Sequence, residues 1–411
     1  MPNNSLNILI VTSSYPPEIR SSSHLMQELA EELAERGYSV FVATTYPTMN
    51  LPDSFHDTGI QEYSVENNVK VIRIRTPLHP HQKGNFIQRG ISQLILPYIF
   101  FRGIKKNIRE QIDTVIVYSP PLTLAIAGRK VAHKFNARFI LNVQDIFPQN
   151  AIDLGIIKNP ILIKLFEVIE KSAYTDADVI TVHSKGNRDV LTKRKHVSSE
   201  KVTVLHNWID IKEYEKTSEN NYFRKKLNLE GKFIFFFGGV MGPSQGLDLL
   251  LKAAKRIEEH ENIVFLFAGD GLEKERLKKL ADKLSLKNVI FHPFVSKDEY
   301  QLLLKEIDVG LVCLSAKNKT PVVPGKILGY MAACVPVVAL LNQESDGHQI
   351  ISDAGCGFSD VSNDVAKAGN LLLKIYGDKE DLNQYGTNGY NYVLKNFLKK
   401  VCVDKIVDLI H

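Results

Sequence analysis

Short apolar runs alternate with amphipathic helical stretches along this chain, and the alternation happens twice. In the first half the strand-like runs are residues 7–12 (NILIVT), 39–44, 69–75, 114–118, 137–143, 179–182 and 202–205. Helical periodicity fills most gaps, as in 25–36 (LMQELAEELAER, ended by Gly37) and 161–174. The pattern restarts with apolar runs at 233–237 (FIFFF), 263–268, 288–292, 308–312 and 335–341. Strand and helix signals in strict alternation imply parallel sheets covered by helices on both faces. The expected fold is therefore α/β, two doubly wound, Rossmann-like domains. The polar stretch 212–228 reads as the linker, giving domains over 1–211 and 212–390, with a helical segment over 391–411 crossing back to the first. Such sheets bind ligands beyond the carboxyl ends of their strands, so the expected site is the cleft between the domains.

Bulk properties narrow the function. A chain of 411 residues exceeds one ordinary core. A net charge of +5 is too weak to argue for nucleic acid, yet suits an anionic substrate or membrane surface. The four cysteines have neither metal nor disulfide spacing, which points to a reducing cytoplasm. The N-terminal apolar run is too short for a signal peptide. No apolar run approaches the roughly 18 residues of a membrane span.

The run VVPGKILGYMAACVPVVAL, 322–340, reads as loop, helix and buried strand, with Lys326 near the helix start. Free N–H groups, the positive end of the helix dipole and a lysine together make an anion site; the alternative is a surface lysine. Gly238, Gly239 and Gly242 follow a strand and precede a helix, with Gln245 beside them, and permit close backbone approach to a ligand. Phe267-Ala268-Gly269-Asp270-Gly271 reads as a strand-end turn or a second approach point. At His292-Pro293-Phe294-Val295 the backbone is placed to pair with a base edge while Phe294 supplies apolar cover; plain core packing is the alternative. The first strand leads through Thr12, Ser13 and Ser14 to Arg20, Ser21, Ser22 and Ser23, a turn able to approach a diphosphate or simply an N-cap. It lacks the dinucleotide glycine fingerprint. Gln144-Asp145 ends another strand; Asp145 either accepts from a sugar or acceptor hydroxyl or caps the next segment. Glu344 and Asp346 follow the last strand and suit paired hydroxyls, or else a solvated turn. The stretch 87–109 mixes apolar bulk with Arg89, Arg102, Lys105, Lys106 and Arg109, downstream of His79, His81 and Lys83. It suits an anionic lipid surface, with Pro97 expected to kink it, or a core helix with a basic face.

The stretches TSSYPPEIRSSSHLMQELAEELAERGYSVFVAT, VQDIFPQNAIDLGIIKNPILIKLFEVIEKSAYTDADVITVHSKG, VLHNWID, GGVMGPSQGLDLLLKAA, FAGDG and VPGKILGYMAACVPVVAL together resemble the glycosyltransferases of family 4, of the GT-B fold, over nearly the whole chain. The similarity is strongest to a bacterial polysaccharide-assembly branch that includes N-acetylfucosaminyl transferases. The resemblance implies retaining transfer from a nucleotide-sugar donor, UDP-linked, with no metal or other cofactor. The donor would lie on the second domain. The acceptor, a glycan on a polyprenyl diphosphate carrier at the inner face of the membrane, would lie on the first. Lys326 matches the family's diphosphate-binding lysine, with Gly325 in place of a serine. Gln245 replaces a basic residue. Two glutamates common in the family are absent, their positions held by Pro321 and Gly329, so ribose would fall to Glu344 or Asp346. Gln144 replaces a histidine, and Ser21 and Ser22 a glycine pair.

The expected mechanism is electrostatic: Lys326 and backbone amides stabilise charge on the departing diphosphate, and the acceptor hydroxyl passes its proton to a phosphate oxygen. The catalytic candidates are Lys326 and Asp145. Two alternatives keep the fold: a non-catalytic partner subunit, and a nucleotide-sugar epimerase.

Overall fold

The seven apolar runs of the first series, with one further strand that they did not mark, become an eight-stranded sheet in the computed structural model, which describes residues 6–48, 51, 60–76, 86–215 and 221–411. Its strands are β1 (Asn7–Val11), β2 (Ser39–Thr45), β3 (Tyr63–Glu66), β4 (Val69–Ile74), β5 (Thr114–Ser119), β6 (Arg138–Val143), β7 (Val179–Val182) and β8 (Val202–Val204). They lie in the order β3-β4-β2-β1-β5-β6-β7-β8. All pairings are parallel except β3 with β4, a hairpin turned by Asn67 and Asn68 at φ 47 and 65. Ile8, Leu9, Ile10 and Val11 are all fully buried; helices cover both faces, so the strand reads as a continuous apolar run rather than an alternation. Strand order reverses at β1, which is flanked by β2 and β5.

The second series forms a six-stranded parallel sheet: β9 (Phe233–Gly238), β10 (Ile263–Ala268), β11 (Val289–His292), β12 (Val309–Cys313), β13 (Val337–Leu341) and β14 (Gly357–Val361), ordered β11-β10-β9-β12-β13-β14. Here the reversal falls between β9 and β12. Contacts divide the chain into a first unit of Met1–Ile152, Ile157–Asn207 and Lys400–His411, and a second of Asp153–Ile156 and Trp208–Lys399. The last helix, Lys399–Ile410, is tied within the first unit by Arg36 to Asp404 at 2.6 Å and by Tyr38 to His411 at 2.9 Å.

Residues 212–228 are not a bare linker. They carry the short helices Lys212–Glu215 and Tyr222–Lys226, and Phe223 is buried in the core of the second unit beside Leu229. The polar faces of these helices hid one deeply buried ring.

The helix Phe86–Asn107 runs through Pro97 without ending there. Leu96, Phe100 and Ile104 bury one face in the first core, while Leu94, Ile95 and Tyr98 stand exposed with Arg102, Lys105 and Lys106. The buried face is what a core helix with a basic outer face requires. His79, His81 and Lys83, and the side chain of Arg89, lie outside the described residues. Among the described residues no helix is long and apolar enough to cross a membrane.

Candidate functional site

In the second unit the chemistry collects at the β9/β12 reversal. Lys326 is the second residue of the helix Gly325–Ala332, whose N-cap Pro324 has no side chain to satisfy the first N–H groups. Its half-buried ammonium lies 5.0 Å from the centroid of the Phe237 ring. A Cβ placed on Gly239 would stand 3.1 Å from Lys326 Cε and 3.3 Å from its Nζ. Among the described residues no carboxylate pairs with it, and burial pulls its pKa from 10.5 to about 8. A desolvated cation without a counter-ion is costly, and this one sits where a helix dipole also favours negative charge.

The glycine loop lies against it, but its amides divide into two sets. Gly238 N–H donates to Tyr330 Oη at 3.3 Å, Gly239 N–H to Ala268 O at 2.9 Å, and Met241 N–H to Asp270 O at 2.8 Å. The first two expected donor ligands therefore contribute shape rather than N–H groups. Among the described residues the amides of Val240 and Gly242 have no internal acceptor, nor do those of Gly325 and Lys326. The loop interlocks with Gly269-Asp270-Gly271, as the turn reading of that segment requires. Gly269 has φ +147, and a Cβ there would stand 1.9 Å from Gly239 O. Only glycine permits so close a backbone crossing.

The other donor candidates fall into different surroundings. Gln245 Nε2 lies 3.5 Å from Ser244 Oγ, and its buried Oε1 has no partner among the described residues. Phe294 is exposed, whereas the Val295 side chain packs in the core, so only its backbone can meet a ligand. Glu344 Oε2 accepts from Asn342 Nδ2 at 3.2 Å, and Oε1 lies 3.8 Å from Lys319 Nζ. Asp346 precedes the helix Gly347–Ala354 without a side-chain cap bond. Gly329 is buried, and an added Cβ would meet the Tyr214 hydroxyl at 3.5 Å.

In the first unit, polar groups gather at the carboxyl ends of β1, β6, β7 and β8. Thr12 Oγ1 donates to Ser14 O at 3.1 Å and Thr45 Oγ1 to Ser13 O at 2.8 Å, fixing the loop after β1. The Ser14 hydroxyl is buried without a partner among the described residues. The helix Ser21–Glu35 takes Arg20, not a serine, as its N-cap residue, and no side chain closes its first turn. Ser21 and Ser22 are thus helical residues and the N-cap alternative for them fails. Arg20 is partly buried, which lowers its pKa against the opposing field of Glu18.

Asp145 follows β6. Burial raises its pKa, and burial together with the Asp145 charge raises that of Tyr118. It caps no helix among the described residues. Beside it runs an amide chain: Gln144 Nε2 donates to Asn142 Oδ1 at 2.6 Å, and Asn207 Nδ2 donates to Gln144 Oε1 at 2.7 Å. His183, at the end of β7, has its pKa pushed down to about 4 by burial and by His206, whose Nδ1 lies 2.8 Å from His183 O. Sequence reading passed over Asn207, His183 and His206; their signal was a polar residue directly after β7 and a polar pair one residue beyond β8. Among the described residues no group of three or more metal-ligating side chains converges.

Residues 218–392 match the family described as glycosyl transferases group 1, and residues 23–208 the glycosyl transferase 4-like domain. The chain is 27% identical over 338 residues to the putative colanic acid biosynthesis glycosyl transferase WcaI of Escherichia coli, covering 80% of this chain and 81% of that one. It is 26% identical over 218 residues to the N-acetylgalactosamine-N,N'-diacetylbacillosaminyl-diphospho-undecaprenol 4-alpha-N-acetylgalactosaminyltransferase of Campylobacter jejuni, 52% of this chain and 54% of that one. Among solved structures, Anabaena HepE in complex with UDP-glucose matches with a TM-score of 0.73 at 15% identity, covering 98% and 99% of the two chains. The two family matches, one in each unit, and the paired parallel sheets agree: this chain belongs to the family 4 glycosyltransferases of GT-B fold.

Proposed function

We propose that this glycosyltransferase of polysaccharide biosynthesis is a retaining, metal-independent enzyme. It transfers an N-acetylated amino sugar from a UDP-linked donor to a glycan carried on a polyprenyl diphosphate. The observation that carries the donor reading is the Lys326 ammonium, which burial desolvates and which has no carboxylate partner among the described residues, in a unit whose glycine loop and helix start leave the amides of Val240, Gly242, Gly325 and Lys326 without an internal acceptor. A nucleoside diphosphate supplies the missing anion. The relative in Anabaena was solved with UDP-glucose, which supports UDP as the first ligand to try.

As the glycosidic bond breaks, its electron pair moves to the β-phosphate oxygen, and Lys326 with the neighbouring N–H groups stabilises that charge. The acceptor hydroxyl gives its proton to the departing phosphate and attacks from the same face. Asp145 accepts a hydrogen bond from the acceptor while the amide chain through Gln144 and Asn207 fixes the polar end of β6. The name of the relative in Campylobacter describes a diphospho-undecaprenol substrate. The exposed Leu94, Ile95 and Tyr98 beside Arg102, Lys105 and Lys106 suit the surface of the membrane that holds such a carrier. On this reading the enzyme works in the cytoplasm, at the inner face of the membrane.

The test is transfer from UDP-sugars to lipid extract by the purified chain, with metal chelated and the product's anomeric configuration read by NMR. Lys326→Ala is expected to lower turnover at least about a hundredfold. Full turnover in a folded Lys326→Ala variant, or an inverted product, overturns the reading; sugar conversion without acceptor points to an epimerase.

A further inference from the structure

The two central strands of the second unit pair over an unusually short distance. β9 and β10 share six register pairs, whereas β9 and β12 share only Val309↔Phe235 and Gly310↔Phe236. Yet β9 continues to Gly238 and β12 to Cys313. Where the ladder stops, the hydroxyl of Tyr330 stands between the strands. It accepts from Gly238 N–H at 3.3 Å, donates to Phe236 O at 3.2 Å and lies 3.4 Å from Leu311 O. One phenol thus serves polar groups of both strands. The ring has a built slot, for a Cβ on Gly310 would stand 2.4 Å from Tyr330 Cγ. Tyr330 is fully buried.

Tyr330 follows Lys326 by four residues on the helix Gly325–Ala332, so both side chains leave the same face of it. Both act on β9. The phenol seizes Gly238, and the ammonium lies over Phe237 and against Gly239. We infer that Tyr330 is a positioning residue: its hydroxyl holds β9 and β12 apart and thereby seats Lys326 against Gly239 at the depth that anion binding needs. This rests on the donor reading above for its ligand, but not for its geometry. Without the hydroxyl the two strands are free to extend their ladder, closing the space in which the lysine lies.

The test is Tyr330→Phe, which keeps the ring in its slot and removes only the oxygen. Amide exchange without ligand reads the wedge itself: Gly238 is expected to be protected in the wild type and to exchange at least tenfold faster in the variant. UDP affinity at pH 7 should fall about tenfold, the scale of one buried hydrogen bond left unmade. The pH at which UDP binding is lost, near 8 in the wild type, should move upward as Lys326 is displaced toward water. A role confined to core stability lowers the melting temperature but leaves UDP affinity and the pH midpoint unchanged, and that result overturns the inference. If the variant does not fold, 3-fluorotyrosine at 330 in the full chain replaces it; a fluorine resonance unmoved by UDP overturns the inference as well. Failure of the wild type itself to bind UDP refutes the donor reading instead, and the exchange arm still judges the wedge.

Discussion

Replacing Lys326 with methionine should strengthen the fold and abolish donor binding at once. The side chains have similar length, so the space beside Phe237 and Gly239 stays filled. What disappears is a charge that burial holds at a pKa of about 8 instead of 10.5. Between about pH 8 and 10.5 the unfolded chain holds a proton that the folded chain has released, so wild-type stability rises with pH through that window. Below it, folding bears the cost of a charged, desolvated lysine, at most about 3 kcal/mol at about 1.4 kcal/mol per unit. Partial exposure of the side chain reduces this to about 1–2 kcal/mol. Lys326→Met should therefore raise the melting temperature at pH 7 by about 2–6 °C, and the gain should fade toward pH 10.5. Binding moves the other way. A site that needs the ammonium charged should bind UDP about tenfold more weakly at pH 9 than at pH 7. UDP contributes little to that change, since its terminal phosphate ionises near pH 6. Differential scanning fluorimetry and titration calorimetry across pH 7–10 read both effects. A variant that melts lower at pH 7, or that keeps UDP affinity, refutes the reasoning; either outcome makes Lys326 an ordinary surface lysine.

Three further outcomes follow from the same geometry. Gly269→Ala should cost at least about 2–3 kcal/mol, because it combines positive φ with a clash against Gly239 O, measured by urea unfolding of the whole chain. Asp145→Asn should leave UDP affinity unchanged while lowering transfer about tenfold or more; with the raised carboxyl pKa, the acid side of the wild-type rate profile should lie above the ordinary carboxylate range, and the variant should lose that limb. Replacing Leu94, Ile95 and Tyr98 together with serine should abolish flotation with vesicles containing anionic lipid at low salt, and wild-type protein that never floats removes the membrane face.

The strands that sequence revealed and those it hid differ for one reason. β9 is FIFFFG and β13 is VVALL, both buried on two faces, so transfer from water leaves a continuous apolar signature. β3 (YSVE) lies at a sheet edge with outward residues, and β14 (GFSDV) is only half-buried. Their pairing comes from a neighbouring strand, which no local composition records. The site divides the same way. Lys326 was legible because Pro324 and Gly325 mark a helix start beside a charge. The chain from Asn142 through Gln144 to Asn207 was not, because its last link spans 63 positions. Tyr330 was least legible of all: an aromatic residue in an apolar helix reads as core, and only the interrupted β9/β12 pairing gives its hydroxyl a task.

The features at that interruption share a property beyond proximity. A depressed lysine, glycines at positive φ, unsatisfied amides and a strand pair that stops early each oppose folding when taken alone. The continuous apolar strands β1, β9 and β13 agree with the fold they adopt, as in a consistently folding sequence. Here several local signals depart from it within a few residues of one point, where the strand order of the sheet reverses. An anion between Lys326 and the amides of Val240 and Gly242 relieves two of these costs together, the uncompensated charge and the unpaired N–H groups. It leaves the other two, the glycine crossing and the early end of the ladder, as the geometry that admits it. Ligand should therefore stabilise the second unit by more than its contact count at Lys326 alone implies, and removing the lysine should erase most of that gain while leaving the glycine crossing intact.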